Sequence, residues 1–167
     1  DSQTDGQVHG IMIHRGVTNT TIAYNNVHDQ PNGAGIAVFD SSGDSIHDNT
    51  VVGAEYGLRL SVGSAGNQFM NNTVTRSGQY AVFMYKGSDL PENTTPNGHP
   101  TANVFANNTF DTTTSNLVKT TEADGNVFTN NTFVHSGGSV LLQQSAGTVF
   151  TGNTFDPSQL FNLVGTT

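Results

Sequence analysis

Phe105-Ala-Asn-Asn-Thr-Phe110 and Phe128-Thr-Asn-Asn-Thr-Phe133 are one phrase written twice, and four more copies stand along the chain. These are Ile22-Ala-Tyr-Asn-Asn-Val27, Ile46-His-Asp-Asn-Thr-Val51, Phe69-Met-Asn-Asn-Thr-Val74 and Phe150-Thr-Gly-Asn-Thr-Phe155. The shared pattern is apolar-x-x-Asn-(Thr/Asn)-(Val/Phe). Its asparagines, Asn25, Asn49, Asn72, Asn108, Asn131 and Asn153, are spaced 24, 23, 36, 23 and 22 residues apart. Self-similarity at a fixed period is the mark of a repeat architecture.

A second apolar run precedes each asparagine by 13 or 14 residues, except in the fourth copy. The runs are Gly10–Ile13, Gly35–Val38, Gly57–Leu60, Ala81–Met84, Leu117–Thr120 and Ser139–Leu142. Each alternates with period 2, as half-buried strands do. Gly, Asn and Ser punctuate the corners, and no stretch shows helical periodicity. A leucine-rich repeat would carry a different leucine pattern, and a propeller blade needs ~40 residues. The expected fold is therefore all-β, a right-handed parallel β-helix (a pectin-lyase-like solenoid) of about six coils of ~23 residues. With coils ~4.8 Å apart, the rod is ~29 Å long. Stacking places Ile22, Ile46, Phe69, Phe105, Phe128 and Phe150 in one inner ladder, with Val27 through Phe155 beside it. The asparagine ladder reads as structural: Asn tolerates turns, and its amide can pair up and down the stack.

The long fourth spacing holds an insertion, residues 87–100, rich in Pro and polar residues and hence a surface loop. It is either a wall or lid of a binding site or a tolerated insertion. Residues 1–167 read as a single β-helix domain. The first coil begins almost at Asp1 with no capping helix, so upstream coils, another domain or another chain are expected over that open edge. Leu160–Gly165 reads as a partial last coil or cap.

The net charge is −8, with five Lys+Arg, which argues against general nucleic-acid binding. No apolar run approaches the ~20 residues of a membrane span. Cysteine is absent, so disulfides and thiolate metal sites are excluded. Alternation along the apolar runs turns Met12, His14, Ala37, Phe39, Arg59, Ser61, Phe83, Tyr85, Lys119 and Gln143 outward, with Arg15, Asp40 and Lys86 at the strand ends. Four of the five cations, Arg15, Arg59, Lys86 and Lys119, then share one stripe. Arg matches a carboxylate with two parallel hydrogen bonds. Phe39, Phe83 and Tyr85 offer flat faces to sugar rings. An acidic polysaccharide is the partner this stripe suits.

None of His9, His14, His28, His47, His99 and His135 shows a metal-binding spacing. His28-Asp29 and His47-Asp48 read as corner residues. No metal site is assigned and no cofactor is expected, although Asp29, Asp40, Asp44 and Asp48 offer oxygen ligands that calcium accepts outside an EF-hand pattern.

The stretch His9-Gly-Ile-Met-Ile-His-Arg-Gly-Val-Thr-Asn-Thr-Thr-Ile-Ala-Tyr-Asn-Asn-Val-His28 resembles the coil of mannuronan (alginate) C5-epimerases that reads roughly His-Gly-Ile-x-Val-x-Arg. Gly35–Val38 and Tyr80–Tyr85 are similar to later coils of those enzymes and of NosD-type β-helix proteins. The likeness spans about the first 90 residues, and the family's Asp-Pro-His motif is absent from this chain. The resemblance implies that Arg15 neutralises the substrate carboxylate, with Tyr85 or His14 in a proton-transfer role. Arg59, Lys86, Phe39, Phe83 and Lys119 would bind the polymer, and Arg15→Ala is expected to abolish turnover while leaving the fold intact. A polysaccharide lyase on the same fold and a non-catalytic carbohydrate-binding or structural module are the alternatives. All three imply an extracellular or periplasmic protein.

Overall fold

The structure, a computed structural model, describes residues 8–91, 97–111, 116–134, 138–156 and 160–165. His135 and residues 92–96 of the insertion lie outside these. Among the described residues every regular element is a strand, and all strand pairs are parallel. The chain winds as a solenoid of about six coils, as the repeat requires.

Three faces result. The first is a six-stranded ladder of Thr21–Ala23, Ser45–His47, Gln68–Met70, Val104–Ala106, Val127–Thr129 and Val149–Thr151. The second carries Thr73–Thr75, Thr109–Asp111, Thr132–Val134 and Thr154–Phe155. The third carries Ile11–Ile13, Tyr80–Tyr85, Asn116–Thr121, Ser139–Gln143 and Leu160–Val164. The long strands Asn26–Phe39 and Thr50–Ser61 run through the corner and join the second and third faces into one sheet.

Both predicted core ladders form. Phe69, Phe105, Phe128 and Phe150 stack with centroids 4.6–4.7 Å apart. Phe110, Phe133 and Phe155 stack beside them at 4.8–5.0 Å. This is the coil spacing itself, so each ring meets its copy face to face along the rod axis. Phe161 of the last strand lies edge-on to Phe150 and Phe155, across the end of both stacks.

The asparagine ladder is structural, and its hydrogen bonds show why Asn is needed. In the central coils, each Oδ1 accepts the backbone N–H and the Nδ2–H of the previous coil's asparagine. Each Nδ2 also donates to a backbone carbonyl of the preceding coil. Asn108 Oδ1 takes Asn72 N at 2.8 Å and Asn72 Nδ2 at 3.0 Å, while its Nδ2 reaches Phe69 O at 2.9 Å and Asn131 Oδ1 at 2.9 Å. Only a primary amide supplies both donors and the acceptor at that length.

The turn conformation itself falls one residue earlier than the ladder. Tyr24, Asp48, Asn71, Asn107 and Asn130 have φ of 53–59°, and Gly152 completes the row at 65°. In Asn71-Asn72, Asn107-Asn108 and Asn130-Asn131 the first Asn is thus there for its left-handed backbone, the second for its amide. A second ladder, Asp44, Asn67, Asn103 and Asn126, stands five residues before the first in four successive coils, and its asparagines repeat the pattern. Its constant offset from the first ladder is visible in the sequence.

Candidate functional site

The register of the third face decides which side chains are neighbours. Met12, Ala37, Arg59, Phe83, Lys119 and Leu141 form one column across six consecutive strands. Phe39, Ser61, Tyr85, Thr121 and Gln143 form the next, with His14 at its head just past Ile13. The stripe therefore exists as one surface, and its members divide into three groups.

The first group is His14, Arg15 and Phe39. The His14 ring stacks on Phe39 at 5.0 Å, and the Arg15 guanidinium stands 5.2 Å from the Phe39 centroid. Arg15 is not simply presented to solvent. Its Nε lies 3.2 Å from the carboxylate of Asp40, which is fully buried. Its Nη2 donates to Leu90 O at 3.3 Å and faces Asp89 at 3.6 Å. The base of the insertion thus reaches back across the face to the first coil and closes over Arg15.

The second group centres on Phe83. Tyr85, Tyr56 and Tyr80 surround it with centroids at 4.7, 5.1 and 5.3 Å. Lys119 Nζ lies over the rings of Tyr80 and Phe83 at 5.5 and 5.7 Å. Arg59 lies over Tyr85 at 5.0 Å. Arg59 is on the outer face as its alternation predicts, yet it is buried, 7% exposed, and so is Ala37 beside it. Tyr85 and His9 pack against Arg59, and Tyr56, Tyr80 and Phe83 pack with Ala37, while both residues still line a cavity. Burial lowers the Arg59 pKa, opposed by the nearby Tyr56 and Glu55. Burial is also the main cause of a raised Tyr56 pKa, with Glu55 adding to it by charge and hydrogen bond, so this phenol keeps its proton.

Lys86 forms the third group. It pairs with Glu122 at 3.5 Å, and Glu122 also stands 3.7 Å from His99, whose Nδ1 meets Asp124 at 2.6 Å. Lys86 thus belongs with the far base of the insertion rather than with the aromatic cluster.

Three residues of the site escape a reading by alternation. Tyr56 and Tyr80 count as inward from Leu58 and Val82, yet they pack outside with Ala34, Ala37 and Phe83. The count slips because two successive residues face the core at that corner: Ala81 and Val82, Leu117 and Val118, all fully buried. Gly57 occupies the same position, where an added Cβ would land on Val74 Cγ1. The third, His9, precedes the first strand. Its Nδ1 accepts the Ala34 N–H at 2.9 Å, and its Nε2 lies 3.3 Å from Arg59 Nη1. Burial, with the Arg59 charge adding to it, lowers the His9 pKa from 6.5 to about 4. His9, Met12, Phe39, Arg59 and Ser61 line a cavity of about 240 Å³ between the first two groups.

His14 and Tyr85 head and continue one column, but three strand steps separate them. At ~4.8 Å per step they stand ~14 Å apart. They cannot flank one C5 carbon.

The aspartates offered as calcium ligands are otherwise engaged. Asp44 accepts Thr20 N–H and Ser41 Oγ–H, Asp40 faces Arg15, and Asp29 and Asp48 bond His28 and His47. Among the described residues no group of three His, Cys, Asp or Glu could hold a metal ion. Among them too, no helix is long and apolar enough to cross a membrane.

A parallel solenoid with stacked asparagine and phenylalanine ladders and an aromatic, cationic outer face defines the class: a β-helix protein with one surface differentiated from the others. The chain belongs to the right-handed β-helix family, whose profile, described as "Right handed beta helix region", matches residues 3–99. No curated protein matches the chain.

Proposed function

We propose that the outer third face binds an acidic polysaccharide and that the protein acts on it as a uronan C5-epimerase outside the cell or in the periplasm. The observation that carries the reading is the convergence of Tyr56, Tyr80, Phe83 and Tyr85 with Arg59 and Lys119 on one outer surface. Aromatic faces take the C–H surface of sugar rings, and cations take uronate carboxylates.

The chemistry follows from the substrate. The C5–H of a uronate is acidified by its carboxylate. A cation on that carboxylate stabilises the enolate-like charge formed when a base takes the proton. Return of a proton to the opposite face inverts C5. In this reading Arg15 with His14 and Arg59 with Tyr85 are two separate cation–base pairs, three strand steps apart, each serving its own sugar: the cation holds the carboxylate, the named side chain takes the C5 proton, and solvent water returns a proton to the opposite face.

Incubation with polymannuronate followed by proton NMR should reveal guluronate signals, and their absence would remove the epimerase reading. New ultraviolet absorbance from unsaturated ends would instead mark a lyase.

A non-catalytic carbohydrate-binding module is the second reading. The observation favouring it is that Arg15, Lys86 and Lys119 each already engage a carboxylate or an aromatic ring. Polymannuronate binding in calorimetry without any change in the polymer would decide for it.

A further inference from the structure

His9 holds an inconsistency that a bound group would resolve. Both of its ring nitrogens face obligate donors: the Ala34 backbone N–H at 2.9 Å on Nδ1 and the Arg59 guanidinium at 3.3 Å on Nε2. A neutral imidazole has one acceptor nitrogen and one N–H. The ring is neutral at pH 7, since its pKa lies near 4. One contact is therefore donor against donor. The amide contact is shorter, and the amide is held in place by its strand, so it keeps the acceptor. The proton then sits on Nε2, aimed at Arg59.

We propose that His9 Nε2–H and the Arg59 guanidinium form a carboxylate subsite at the mouth of the 240 Å³ cavity, an acceptor oxygen bridging the two donors. The assignment rests on the uronan reading of this face and names the residues that would seat one uronate carboxylate. The surroundings suit a sugar acid. Phe39 and Met12 supply apolar wall, Ser61 supplies a hydroxyl, and the Tyr85 ring backs the guanidinium from 5.0 Å. Arg59 is buried, so a carboxylate meeting it is poorly screened and its hydrogen bonds are strong. His9 acts as a binding residue here: a neutral ring with Nε2 protonated donates a hydrogen bond and does not abstract a proton.

The test is nitrogen NMR of the full chain labelled in histidine, with acetate, a mannuronate trisaccharide and neutral mannotriose as probes. The expected result is a free-state His9 protonated on Nε2. Its Nε2 resonance should move with acetate and with the mannuronate trisaccharide, but not with mannotriose. His9→Gln should weaken trisaccharide binding about tenfold, the loss of one charge-assisted pairing. Arg59→Gln should weaken it further. If that variant fails to fold, His9→Gln and the resonance shifts carry the test alone. A proton on Nδ1, or an Nε2 unmoved by both carboxylate probes, would overturn the subsite. Trisaccharide binding that leaves Nε2 unmoved removes the subsite and leaves the polysaccharide face standing. Acetate that moves Nε2 while the trisaccharide fails to bind keeps the subsite and removes the polysaccharide.

Discussion

At the scale of single residues, Arg15 shows how a functional assignment and a structural one compete. The resemblance makes it the carboxylate neutraliser and predicts that its removal spares the fold. The structure gives it a second task, because Asp40 is fully buried and Arg15 Nε lies 3.2 Å away. Arg15→Ala leaves that carboxylate without its guanidinium and should cost ~1–3 kcal/mol in urea unfolding. Arg15→Ala with Asp40→Asn should recover most of the loss. Equal instability of the single and double variants would show that Asp40 does not depend on Arg15. Only the double variant reads the role of Arg15 in turnover cleanly. His9 makes a second residue-scale prediction. Its pKa is about 4 in the folded chain against 6.5 for an unperturbed histidine, so between these values the unfolded state binds more protons. Stability from His9 is then complete above pH 6.5 and is lost as pH falls toward 4. Thermal melting of wild type and His9→Gln should run parallel above that upper value and converge or cross below it. A constant difference across the whole window would contradict the burial of a neutral imidazole.

At the scale of the coil, much was legible. The apolar-x-x-Asn phrase sets both inner ladders and the asparagine stack, because a side chain that must meet its own copy every turn is written at a fixed period. Asn72, Asn108 and Asn131 are readable for that reason. Tyr56 and Tyr80 were not, because their outward turn depends on a corner where two successive residues face inward. A period-2 count cannot see that slip. His9 was illegible for a different cause: its role comes from Ala34 and Arg59, 25 and 50 residues away in sequence. The ladder itself can be tested element by element. In a buried corner, Asn108→Leu takes the side-chain partner from Asn72 N–H and from Phe69 O, and removes one of two bonds from Asn72 Nδ2, which keeps Ile46 O, and from Asn131 Oδ1, which keeps the residue-108 N–H. At ~1–3 kcal/mol for an unsatisfied buried group, relaxation included, the net loss should be ~3 kcal/mol or more. Asn153→Leu at the last rung should lose less, ~1 kcal/mol, since Asn153 is itself only half-buried and water can take its place as a partner. Equal midpoints in urea for the two variants would mean that the amide stack is not what holds the corner.

At the scale of the whole molecule, a solenoid is a one-dimensional stack in which each coil touches only its neighbours. Stability is then close to a sum over coils and interfaces, and a whole coil can be removed if the ladders stay in phase. Deleting residues 109–131 does this: Asn108 is followed directly by Thr132, the asparagine column closes its gap, and Phe105 meets Phe150 in the next turn. The third face then pairs Tyr80–Tyr85 with Ser139–Gln143 in place of Asn116–Thr121, the register each already shares with the removed strand. The shortened chain should keep a cooperative melt and a β-sheet circular dichroism spectrum, at a lower melting temperature. An unfolded product would mean that the coils are not interchangeable units and that stability is global. The same deletion separates the two ends of the proposed binding face. It removes Lys119, which lies over Tyr80 and Phe83, and Glu122 and Asp124, which hold Lys86 and His99, but leaves His9, Arg15, Arg59 and Tyr85 in place. Affinity for a long uronan should therefore fall, because Lys119 and its place over Tyr80 and Phe83 are gone. A mannuronate trisaccharide seated at His9 and Arg59 should bind as before. If the long polymer binds equally well to both chains, the polymer does not run along the rod axis, and the extended stripe from Arg15 to Lys119 is not its track.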